Sequence, residues 1–73
     1  MKDWKRIQEL EAEIARDEER YREIERLEQE LMQNIPQGFK GVATEERYRD
    51  EKEGLDQAIL ENREALAAAM SQL

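Results

Sequence analysis

Apolar residues recur at alternating intervals of three and four along two long stretches of the chain. In the first, Ile7, Leu10, Ile14, Tyr21, Ile24 and Leu31 keep that spacing; in the second, Tyr48, Leu55, Ile59, Leu66, Ala69 and Leu73 do. Residues so spaced share one stripe of a helix, because a turn takes about 3.6 residues. Each stripe reads as a heptad seam that seeks a facing helix. The spacing predicts helix 1 over about 3–33 and helix 2 over about 45–71. Four polar residues interrupt the seams, Asp17 and Glu28 in the first and Lys52 and Asn62 in the second. Leu27 lies beside the first seam and widens it. From Ala58 onward the second broadens through Ala65, Ala67, Ala68 and Met70.

The ends of the stripes carry matching signals. Asp3 suits the N-cap of helix 1. Pro36 stops that helix, because it lacks a backbone donor and keeps the residue before it out of helical geometry. Gly38 and Gly41 permit a reversal, so 34–43 reads as a loop. Thr44 suits the N-cap of helix 2, and Glu45 and Glu46 suit its positive end. Gly54 interrupts helix 2 at a cost of about 1 kcal/mol relative to alanine, and the close approach of another helix is one explanation.

Helices joined by a short loop pack antiparallel. Folding about residues 39 and 40 sets Leu31 against Tyr48 and Ile24 against Leu55, and brings Asp17 near Asn62 and Glu28 near Lys52. Layering of unlike heptad positions would shift this register by half a heptad. The expected fold class is all-α, with one domain over 1–73. It is an antiparallel, coiled-coil-like hairpin that dimerises into a four-helix bundle, because two helices alone leave one side of each seam wet. Twofold closure is the commonest way to cover such a surface.

Composition narrows the function. Charged residues make up 42% of the chain and aromatic residues 5%, with a formal net charge of −7. Acids outnumber bases 11 to 7 over 1–34 and 8 to 4 over 44–73. No basic stripe forms, so direct nucleic-acid binding and anionic membrane surfaces are not expected. No apolar run reaches the ~20 residues of a membrane span. The start of the chain lacks the apolar core of a signal peptide, so a cytoplasmic location is expected. Without histidine or cysteine, the usual general base and most zinc ligands are missing. No enzyme activity, cofactor or metal is expected. Pairs such as Glu18 and Arg22 read as ordinary helix-surface neighbours.

Three groups of residues remain as candidates. Ile7, Leu10, Ile14, Tyr21, Ile24, Leu31, Leu55, Ile59, Leu66, Ala69, Met70 and Leu73 form the expected oligomer interface. Asp17, Asn62, Glu28 and Lys52 are expected to set register, since a polar group in a seam trades stability for specificity. Ile35, Phe39 and Val42 in the loop, with Trp4, are candidates for docking a partner.

The plan is similar to that of other small helical-hairpin dimers, including plasmid copy-control hairpins that bind RNA, in architecture only. The expected function is that of a small structural or adaptor protein that self-associates and binds another protein. A phage or mobile-element assembly factor would fit this size. The alternative is an acidic inhibitor that occupies the basic surface of a nucleic-acid-binding protein.

Overall fold

The computed structural model of the chain describes residues 3–34 and 42–71. Two helices, α1 over Trp4–Asn34 and α2 over Val42–Met70, pack against each other as a hairpin with axial extents of 58 × 14 × 12 Å. Ile35, Phe39 and Leu73 lie outside the described residues. So does the side chain of Val42, whose backbone opens α2.

Asp3 caps α1 as its position suggests. The Arg6 N–H donates to Asp3 Oδ1 at 3.1 Å, and the Ile7 N–H donates to the Asp3 carbonyl at 3.0 Å. The side-chain bond satisfies one of the orphan donors at the helix start, and the backbone bond is the first of the helix ladder. At the far end of the hairpin chain, the Ser71 N–H donates to the Ala67 carbonyl and its hydroxyl to the Ala68 carbonyl, each at 3.0 Å.

The start of α2 differs from the sequence reading. The helix begins at Val42 rather than near Glu45, so Thr44 sits inside its first turn and does not cap it.

Among the described residues five side chains are buried, namely Ile7, Leu10, Ile14, Ile24 and Ile59. Four of them come from α1. The two fully covered ones, Leu10 and Ile24, sit 14 residues apart on the same stripe. Small side chains on the facing helix explain part of this asymmetry. Ala65 and Ala69 are half-buried beside the Ile7–Ile14 segment and leave room for its larger residues.

Cross-helix contacts fix the register. Lys52 reaches both Tyr21 and Glu28, one turn to either side of Ile24, so it lies level with Ile24. The pairs Arg20–Glu51 and Glu18–Arg63 bracket the same register, which sets Glu19 level with Gln57. The layers are therefore shifted by three residues from the simplest folding of the pattern. Ile24 is level with Lys52 rather than Leu55, Asn62 with Ile14, and Asp17 with Ile59. This is the half-heptad shift in which unlike heptad positions of the two helices share a layer, the alternative that the spacing left open.

Candidate protein-binding surface

A helix seam has two sides, and in an antiparallel pair the equivalent flanking positions of the two helices face each other. One side here is spanned by Arg20 and Glu51, each 40% exposed. Arg20 grips the carboxylate with two parallel bonds, Nε to Oε2 at 2.6 Å and Nη2 to Oε1 at 3.1 Å, while its Nη1 holds Glu23 at 3.1 Å. Such a fork is the strongest geometry for this pairing. Hydrogen bonding from Arg20 holds the Glu51 carboxyl below the usual glutamate range, and the same bond raises the Arg20 guanidinium.

The opposite side is marked by Glu18 and Arg63, whose Oε1 and Nη2 lie 3.3 Å apart. Glu18 therefore pairs across the hairpin rather than with Arg22 on its own helix.

Lys52 occupies the seam itself. Its Nζ lies 2.7 Å from Glu28 Oε1 and 5.7 Å from the centre of the Tyr21 ring. The hydrogen bond to Glu28 raises the Lys52 pKa above its ordinary value, against a smaller opposing effect of desolvation. The aromatic face adds a cation–π contact, which is attractive within about 6 Å. Glu28 and Lys52 thus meet as the sequence suggests. Asp17 and Asn62 are each half-buried, and no hydrogen bond joins them among the described residues. Among the described residues no buried polar side-chain atom lacks a partner.

The expected interface residues divide by exposure. Ile7, Leu10, Ile14, Ile24 and Ile59 are already covered by the chain itself. Tyr21, Leu31, Leu55, Leu66 and Ala69 are half-buried, so part of each seam still meets water. Trp4 and Met70 remain 61% and 46% exposed. Met32 and Leu60, which the seam pattern passes over, are 72% and 53% exposed.

These four exposed apolar residues share one side. Trp4 and Met32 stand 14 residues before and after Glu18, two heptads in each direction, and so repeat its position on α1. Met70 follows Arg63 by seven residues and Leu60 precedes it by three, which places both beside Arg63 on α2. Two grooves open on this same side. One, of about 760 Å³, is lined by Arg22, Glu25, Glu28, Met32, Arg49 and Lys52; the other, of about 220 Å³, by Glu18, Tyr21, Asp56, Ile59 and Arg63. The signal for this surface in the sequence was the presence of large apolar residues at positions off the seam.

Among the described residues no cluster of acids is arranged to hold a metal ion, and no helix is long and apolar enough to cross a membrane. No protein family, curated protein or solved structure matches the chain.

Proposed function

We propose that this chain is a non-enzymatic structural or adaptor protein of the cytoplasm, which self-associates into a four-helix bundle and binds another protein. One observation carries the reading. Among the described residues the four exposed large apolar side chains, Trp4, Met32, Leu60 and Met70, lie on the Glu18–Arg63 side, while the Arg20–Glu51 fork spans the other side. Apolar surface gathered on one side of an elongated molecule favours association. The seam polar residues Asp17, Asn62, Glu28 and Lys52 serve to fix register in this reading.

Association coupled to folding makes stability depend on concentration. The melting temperature, followed by helical circular dichroism, is expected to rise across a hundredfold increase in protein concentration. A concentration-independent melting temperature would contradict self-association.

An acidic inhibitor is the second reading. It draws on the outer row of α2, where Glu46, Asp50, Glu53, Glu61 and Glu64 are all exposed and Arg47 adds a base. Binding to a basic partner that weakens steeply with salt would favour it.

A further inference from the structure

The seams of the two helices fit together in more than one register. In the structure Ile24 is level with Lys52, Asp17 with Ile59 and Ile14 with Asn62, so polar interruptions of one seam stand level with apolar residues of the other. A shift of three residues, about 4.5 Å along the axes, replaces these mixed layers. Leu10 then stands level with Ala69, Ile24 with Leu55 and Asp17 with Asn62, while Ile14 comes within one residue of Leu66 and Tyr21 of Ile59. Apolar positions match apolar ones and polar match polar. We infer that the hairpin is a two-register slide. Helix α1 moves along α2 by half a heptad, between the register described above and a second one that pairs like with like. The inference does not depend on self-association.

The ion pairs between the helices respond differently to this shift. Glu51 stands five residues short of the level of Arg20, and the shift lengthens that offset to eight, about 12 Å, which opens the bidentate fork. The Lys52–Tyr21 contact opens with it. Lys52 stands four residues past the level of Glu28 and would stand one past it; Arg63 stands five past the level of Glu18 and would stand two past it. Both of these pairs therefore serve either register. The fork specifies the first register, and Asp17 with Asn62 specifies the second. Packed helices do change register in such discrete steps rather than continuously.

The start of α2 accommodates both states. In the first, Asn34 is level with Val42, and α2 runs alongside α1 from its first residue. After the shift Asn34 is level with Glu45, and 42–44 extend past the end of α1. Thr44 is then placed to cap a helix beginning at Glu45, with Glu45 and Glu46 at its positive end. The slide changes the layers at both ends of the 58 Å molecule together, so it links the terminal end to the loop end.

A distance along the axis reads the register. The chain has no cysteine, and Gln29 and Ala68 are both exposed, so Gln29→Cys and Ala68→Cys place two spin labels on facing helices of the full chain. Their axial separation is about 32 Å in the first register and about 27 Å in the second. Pulsed electron paramagnetic resonance is recorded in excess unlabelled chain, so that only distances within one hairpin count. The parent is expected to show the longer distance as its main one, and Arg20→Ala a main distance about 4 Å shorter. Adding Asn62→Leu, which puts an apolar residue level with Ile14 in the first register and with Asp17 in the second, is expected to return the longer distance. An Arg20→Ala hairpin that keeps the parent distance would overturn the inference. So would an Arg20→Ala chain that loses its helical circular dichroism, because no second register would then hold the fold. A short main distance in the parent would show that the fork does not hold the first register.

Discussion

Lys52 of α2 reaches across the hairpin to place its Nζ 2.7 Å from Glu28 Oε1 on α1, with both side chains about three-quarters covered. The contact joins two of the polar interruptions of the seams and lies against the Tyr21 ring. An ion pair in this setting offsets the desolvation of its members and adds little beyond that. Its removal from one side is a different matter, because the remaining charge is left in the seam. Lys52→Ala and Glu28→Ala are each expected to lower the melting temperature. The double variant is expected to recover part of the loss, with a coupling of about 0.5–1 kcal/mol in a double-mutant cycle. Additive losses would show that the pair is not coupled.

Acid is expected to weaken the hairpin partly through Glu51. Its carboxyl titrates below the ordinary glutamate value in the folded chain because Arg20 donates to it. The folded state therefore binds a proton less readily than the unfolded state. The contribution is complete above the ordinary glutamate value and is lost as the pH falls through the depressed folded value. Comparison of the parent with Glu51→Gln by urea melts checks this. The parent should be the more stable near neutral pH, and the two should converge in acid. A difference that stays constant with pH would contradict the assignment.

Asn62 lies level with Ile14, a buried residue, and so places an amide among apolar neighbours. Asn62→Leu is expected to raise the melting temperature by adding apolar burial to that layer. If Asn62 also fixes how copies assemble, light scattering of the variant will show a mixture of masses. A more stable protein of unchanged, single mass would limit Asn62 to a local effect.

Gly54 has open space where a β-carbon would stand, with nothing beyond its chain neighbours and its own helix backbone within 4 Å. Approach of α1 therefore does not account for the glycine. Gly54→Ala is expected to stabilise the helix by about 0.5–1 kcal/mol, since alanine loses less backbone freedom on folding. It should leave the mass unchanged, because residue 54 lies away from the Glu18–Arg63 side. A loss of association on adding this one methyl group would move the interface to the outer face of α2.

The two helices and their antiparallel packing were legible in the spacing of Ile7, Leu10, Ile14, Ile24 and Ile59, all of which are buried. The Asp3 cap and the Glu28–Lys52 contact were legible too. The layer-by-layer register was not. Layering of like and of unlike heptad positions satisfies the same spacing, so the sequence left the half-heptad choice between them open. The Glu18–Arg63 and Arg20–Glu51 pairs follow from the register and could not be chosen before it was known. With 19 acids and 12 bases, many pairings satisfy spacing alone. Met32 and Leu60 stood outside the seam pattern, and only the placement of Arg63 across from Glu18 shows that they share a side with Trp4 and Met70.

In the proposed reading the hairpin associates with a second copy of itself. Solution mass by light scattering after size exclusion, across a dilution series, tests it most directly. A self-associating hairpin has a mass of twice the 8.7 kDa chain at high concentration, falling toward the single-chain value on dilution only as the helices melt. A well-folded species of 8.7 kDa at every concentration would contradict it.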